Sequence, residues 1–196
     1  MDAFRGAFPA DPRVELRVKC WPDCSVKATG DPRIVLDRRP LSVESLADWY
    51  RSLDVFVSAS RGEGFGLQPL QAMACGIPDI APVWGGHRAY MTPSTGWSVD
   101  FREEPAEGPI YGGLGQWCVP RRESLVALMR EAAADPDARR EKGRAAEVRA
   151  LDFTWDLAGP VLVRALDDFG LILRRPPVPA SGEGPRTAPD LARLPA

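Results

Sequence analysis

A short apolar run, a glycine-rich loop and a helix follow one another between Asp54 and Gly76, and this stretch most limits what the chain can fold into. Asp54-Val55-Phe56-Val57-Ser58 is β-branched and aromatic and ends in turn residues, so it reads as a buried strand. Leu67 to Cys75 reads as a helix. Pro69 falls in its first turn, where backbone N–H groups have no intrahelical acceptor. Leu70, Met73 and Ala74 share a face, and Gly76 stands at the left-handed C-cap. The loop Arg61-Gly62-Glu63-Gly64-Phe65-Gly66 therefore joins the C-terminal end of a strand to the N-terminus of a helix. Open α/β sheets bind ligands at such junctions, and helix N-termini favour anions.

Gly62, Gly64 and Gly66 remove Cβ atoms, so loop amides can approach a ligand closely. Glu63 places a carboxylate inside the loop, in reach of sugar hydroxyls or a developing positive charge. Spacing alone leaves a second reading open, a tight βα turn with a solvated Glu.

The wording of the stretch adds to its spacing. Ser60-Arg61-Gly62-Glu63-Gly64-Phe65-Gly66-Leu67, followed by Gln71-Ala72-Met73-Ala74-Cys75-Gly76-Ile77-Pro78, resembles the donor-site signature of glycosyltransferase family 4. The resemblance runs from about Ala3 to about Leu166. It implies a retaining, nucleotide-sugar-dependent enzyme of the two-domain GT-B fold, with this chain as its C-terminal, donor-binding half. The family signature has two glutamates eight positions apart. The first falls on Glu63, which would contact the donor sugar as the catalytic carboxylate. The second, which would hold the ribose, falls on Gln71. Arg61, Gly62, Gly64, Phe65, Gly66 and Leu67 complete the implied donor loop, and Gly85-Gly86 resembles a loop near the donor phosphates. Arg38, Arg39 and Leu41 fall where the family lines the nucleotide base, although two solvated arginines would look the same. The resemblance implies no metal and no cofactor, the nucleotide sugar being a co-substrate. It leaves the acceptor unspecified, and it places the family's first strand, its basic pair and an N-terminal-domain partner outside these residues.

The expected fold class is α/β, a Rossmann-like parallel sheet with helices on both faces over residues 1–173, with a Pro-rich disordered tail over 174–196. Twenty-five basic and 27 acidic residues give a net charge of −2, so nothing drives the chain toward nucleic acid. Without a run of about 18 apolar residues or a signal peptide, no transmembrane segment and a cytoplasmic location are expected. Cys20, Cys24, Cys75 and Cys118 with one histidine make a poor zinc set and read as free thiols.

Along the chain, Met1 to Phe8 reads as a helix, and Val14–Lys19 and Arg33–Asp37 as strands. Ser42 caps a helix from Val43 to Leu53 whose stripe is Val43, Leu46, Tyr50 and Leu53. Ile77–Ala81 is a strand in which Asp79 must face solvent or find a partner. His87 reads as a surface residue or a phosphate contact. Thr95–Val99 is the last expected strand, and Arg102–Gly115 a loop insertion, with Tyr111 and Trp117 open to packing back on the sheet or meeting a partner. Ser124–Ala133 is an amphipathic helix. Asp135-Pro136 starts a charged, mostly exposed helix to about Ala150. A closing helix with the stripe Ala158, Val161, Leu162, Ala165, Leu166 and Phe169 is expected to break at Pro160.

Two other functions stay open on sequence. One is a non-catalytic remnant that keeps the fold. The other is a dehydrogenase-like binder, which would want Gly-x-Gly-x-x-Gly rather than the alternation of Gly62, Gly64 and Gly66.

Overall fold

The computed structural model describes residues 1–108 and 111–171. The tail expected from residue 174, and the boundary before it, lie outside the described residues. The elements in order are α1 (Asp2–Ala7), β1 (Leu16–Lys19), β2 (Ile34–Asp37), α2 (Val43–Arg51), β3 (Phe56–Val57), α3 (Leu67–Ala74), β4 (Asp79–Ala81), β5 (Gly96–Ser98), β6 (Phe101–Pro105), β7 (Gln116–Pro120), α4 (Arg122–Ala134), α5 (Pro136–Ala150) and α6 (Trp155–Asp168). The chain divides after Thr154 into two units. No described helix is long and apolar enough to cross a membrane.

The first unit is α/β with parallel strands, as expected. β3, β4 and β5 form one parallel sheet with β4 in the middle, and β1 pairs with β2 in a second parallel ladder. No ladder joins the two sheets among the described residues. β3 is shorter and less buried than its sequence suggests, because only β4 pairs with it.

Alternation along β4 sends neighbouring residues to opposite layers. Ile80 packs with Trp97, Val99, Leu125 and Ala132, the layer of α1 and α4. Ala81 packs with Leu70, Met73, Tyr90, Met91, Ala146 and Ala150, the layer of α3 and α5. Helices thus cover both faces of this sheet. Arg130 of α4 donates to the carbonyls of Gly6 and Ala7 at 2.7 and 2.9 Å, tying down the C-terminal end of α1.

Local signals set several boundaries. The Ser42 side chain accepts from the Ser45 amide, and Asp135 accepts from the Ala138 amide with Pro136 at the first helical position. Gly76 has φ +75°, the left-handed conformation that ends α3.

Other expectations need correction. Val43 is exposed because it sits at the first turn of α2, ahead of the face that packs. In α3 the buried residues are Pro69, Leu70, Ala72 and Met73, whereas Ala74 is exposed. Tyr50 of α2 packs on the Ala72 side, so α3 is covered on two flanks. α5 is not merely a solvated rod: Gly143, Ala146 and Ala150 are buried against the α3 layer. The insertion after β5 is a hairpin, β6 antiparallel to β7 with Glu103 opposite Cys118. α6 runs unbroken through Pro160. The preceding Gly159 removes one clash with the proline ring, while the ring still displaces the Asp156 carbonyl and one N–H bond is lost. None of the residues of α6 is buried.

Candidate donor site

The loop Arg61–Leu67 leaves β3 and enters α3 at Gly66, the N-cap, with φ +82°. A side chain there would be strained in its backbone and would strike the Tyr90 hydroxyl at 2.6 Å and the His87 ring at 2.8 Å. No side chain caps this helix start. The first-turn amides of Leu67 and Gln68 thus have no intrahelical acceptor and lie beside the loop as donors for a ligand.

The loop is clasped from behind. The Gly86 amide donates to the Glu63 carbonyl at 3.2 Å, and the Tyr90 hydroxyl donates to the Gly66 carbonyl at 2.7 Å. A Cβ on Gly86 would lie 2.3 Å from the Phe65 backbone, and one on Gly85 would lie 2.8 Å from the Glu63 carbonyl oxygen. Gly85 and Gly86 are therefore glycines because the donor loop presses directly on them. The Phe65 ring packs edge-on to Tyr90 and near Phe153, with centroids 5.7 and 5.9 Å away.

His87 is fully buried, which corrects the surface reading. Its Nδ1 lies 2.8 Å from the Pro82 carbonyl, which can only accept, so Nδ1 carries the proton. Nε2 is left a buried acceptor without a partner, against Gly66. Asp79 is also fully buried, and neither carboxylate oxygen has a hydrogen bond, so it neither faces solvent nor finds a partner. Burial pushes its carboxyl well above the ordinary range.

Glu63 is half-buried in the loop, and burial first, then the charges of Asp79 and Glu63, push the Tyr90 phenol up. Gln71 is exposed one turn into α3, where its Oε1 accepts from the Tyr50 hydroxyl at 3.2 Å. Burial pushes the Tyr50 phenol up to about 12, so it stays a donor at neutral pH. The Gln71 amide nitrogen stays free to donate outward.

The β6–β7 hairpin forms a wall that the sequence did not reveal. The Cys118 amide donates to the Arg61 carbonyl at 2.8 Å, and Trp117 would lie 3.1 Å from a Cβ on Gly62. The Arg61 guanidinium sits 5.5 Å over the Trp117 ring and 3.5 Å from Glu104. These residues, with Pro105 and Glu107, line a cleft of about 310 Å³ beside the loop.

Arg38 and Arg39 are not brought to the loop. They line a separate cleft of about 770 Å³ with Glu15, Arg17, Val35, Leu36, Asp37 and Trp49, and the two clefts share no residue. Arg39 grips Asp37 through two bonds of 2.7 and 3.1 Å and holds its carboxyl down at about 2. Arg38 is bound to backbone carbonyls of the 22–26 loop. Leu41 is half-buried before α2. No group of three or more metal-ligating side chains occurs among the described residues.

Residues 25–107 match the family described as Glycosyl transferases group 1. The chain is 33% identical over 141 residues to D-inositol 3-phosphate glycosyltransferase of Arthrobacter sp. (strain FB24), covering 71% of this chain and 29% of that one. A segment of 48 residues is 50% identical to the lipopolysaccharide core biosynthesis mannosyltransferase LpsB of Rhizobium meliloti (strain 1021), covering 24% of this chain and 14% of that one. The chain thus spans less than a third of the length of these relatives. In fold it is similar to sucrose-phosphate synthase from Thermosynechococcus elongatus, with TM-score 0.63 and 24% identity, over 86% of this chain and 42% of that one. Fold, glycine loop and relatives agree: residues 25–107 carry a glycosyl transferase group 1 domain.

Proposed function

We propose that the domain is the donor-binding half of a retaining glycosyltransferase that uses a nucleotide sugar. The observation that carries this reading is the uncapped start of α3, reached through a glycine loop that is clasped in place. The Leu67 and Gln68 amides offer fixed positive ends to a diphosphate, and such preorganised donors stabilise a leaving anion. Glu63 serves the donor sugar, whose hydroxyls a carboxylate accepts strongly. Gln71 serves the ribose through its free amide nitrogen, while Tyr50 holds its oxygen. The nucleotide sugar is a co-substrate, and the reading calls for no metal and no other cofactor. The acceptor, and any partner domain that positions it, belong to the whole protein.

Calorimetric titration with UDP-glucose, GDP-mannose and ADP-glucose tests the reading. One of these donors should bind, and Glu63→Ala should weaken it by about tenfold or more, the value of one charge-assisted hydrogen bond. The melting temperature should move little, because a half-exposed loop carboxylate contributes little to stability. A large loss of stability with donor affinity intact would make Glu63 a structural residue.

A further inference from the structure

The crossover from β1 to β2 carries a feature that donor binding does not use. Parallel strands are usually joined through a helix. Here Cys20 to Arg33 contains none. Arg38, just beyond β2, organises this segment instead. Its Nη1 donates to the carbonyls of Pro22 at 3.2 Å and Cys24 at 2.8 Å, and its Nη2 donates to the Val26 carbonyl. The same Nη1 lies 3.2 Å from the Cys24 sulfur.

Cys20 meets Cys24 across a tight turn. The Cys24 amide donates to the Trp21 carbonyl at 3.1 Å, so the two cysteines flank one β-turn, and the Cys20 thiol lies 4.0 Å from the Asp37 carbonyl. Cys20 is anchored to β2 through its own amide, which donates to the Asp37 carbonyl at 3.1 Å. Both thiols are partly exposed, and Trp21 between them is 79% exposed, so solvent reaches the turn.

The surroundings split the pair into two roles. The Cys20 thiol first, then the Val26 backbone and the Arg38 charge, lower Cys24 below an ordinary thiol. Its neighbour Cys24, and then burial, raise the Cys20 thiol above an ordinary one. Cys75 and Cys118 are raised by burial. A cysteine whose sulfur meets a guanidinium at 3.2 Å, four residues from a second cysteine across a turn, is the arrangement of an attacking and a resolving cysteine.

We propose that Cys20 and Cys24 are a thiol–disulfide exchange site for low-molecular-weight disulfides such as glutathione disulfide. The Cys24 thiolate attacks one sulfur of glutathione disulfide, forming a mixed disulfide and releasing one glutathione thiolate. Cys20 gives up its proton to that thiolate and attacks the Cys24 sulfur. The Cys20–Cys24 bond forms and the second glutathione leaves. The two protein sulfurs are oxidised to a disulfide, and one glutathione disulfide is reduced to a thiol and a thiolate, which takes its proton from water. Arg38 then loses its thiolate contact, and because Arg38 also lines the 770 Å³ cleft, the cleft senses the change.

The test uses the full chain in glutathione buffers, quenched in acid, alkylated and mapped by mass spectrometry. Oxidation should join Cys20 to Cys24 and leave Cys75 and Cys118 free. A brief iodoacetamide pulse at pH 7 should label Cys24 several-fold faster in the folded chain than in urea, whereas a merely half-buried thiol would label more slowly when folded. Cys20→Ser should accumulate the glutathione mixed disulfide at Cys24, because nothing resolves it. Slower labelling of Cys24 in the folded wild-type chain, or oxidation that never links the pair, overturns the proposal. Both readouts come from the unmodified sequence, so they stand even if Cys20→Ser misfolds.

Discussion

Replacing Asp79 with Val would remove two buried carboxylate oxygens that have no partner and keep nearly the same volume. The sign of its effect follows from proton linkage. In the unfolded chain the carboxyl ionises near its ordinary value, whereas burial raises it in the fold. As pH rises above that ordinary value, the unfolded state releases a proton that the fold retains. Stability therefore falls, by about 1.4 kcal/mol per pH unit, until the folded group also ionises. Asp79→Val should be more stable at pH 7, with a gain that grows by about 1.4 kcal/mol for each pH unit above the ordinary carboxyl value. Its advantage should shrink as pH falls toward 4. Urea unfolding of both forms at several pH values checks this, and a difference that does not change with pH would place Asp79 in contact with water. Gln71 lends itself to the opposite kind of change. Gln71→Glu keeps an acceptor for Tyr50 and adds charge where the proposed site holds the ribose. It should tighten nucleoside diphosphate binding about tenfold, roughly 1.4 kcal/mol. The gain should vanish with the 2′-deoxy ligand; an equal gain would place Gln71 away from the ribose.

Among the elements, α5 bears on the site through one small residue. A glycine inside a helix normally costs about 1 kcal/mol against alanine. Gly143 should show the reverse, because its Cβ would lie 2.2 Å from the Gly76 carbonyl oxygen at the end of α3. Gly143→Ala should lose about 1–3 kcal/mol through overpacking, read by chemical denaturation, and should weaken nucleotide binding because α3 carries the loop. A stabilised variant would show that the two helices can separate freely. This contact also marks the limit of reading elements from sequence. The glycine loop, the Ser42 and Asp135 caps and the Gly76 terminus were legible because each depends on a few neighbouring residues. The buried side of α5 was not, because Gly143, Ala146 and Ala150 look featureless beside its charges. The β6–β7 hairpin was hidden in the same way: Arg102, Glu103 and Glu104 show no apolar alternation, and the strands are defined by pairing with each other and with Arg61. His87 lies buried against a carbonyl five residues away, and Asp79 is buried with no partner at all. Neither burial leaves a mark on hydrophobic pattern.

At the scale of the whole molecule, the site lies where the three-stranded sheet has both of its faces covered, while the β1–β2 pair contributes no residue to the three main core clusters. The clasp on the donor loop then has a thermodynamic consequence. Ordering a flexible loop on binding costs about 1–2 kcal/mol per residue in backbone entropy. Seven residues from Arg61 to Leu67, ordered only by the ligand, would consume most of the interaction with a nucleotide. Here the Gly86 amide, the Tyr90 hydroxyl and the Phe65 ring have already met that cost during folding. Donor association should therefore proceed in one phase, at a rate that keeps rising with ligand concentration. Its heat-capacity change should stay small, far from that of coupled folding, which buries about 1,000–3,000 Å². A stopped-flow rate that levels off at high ligand concentration would show that the loop still has to rearrange, and that the clasp holds its ends but not its amides.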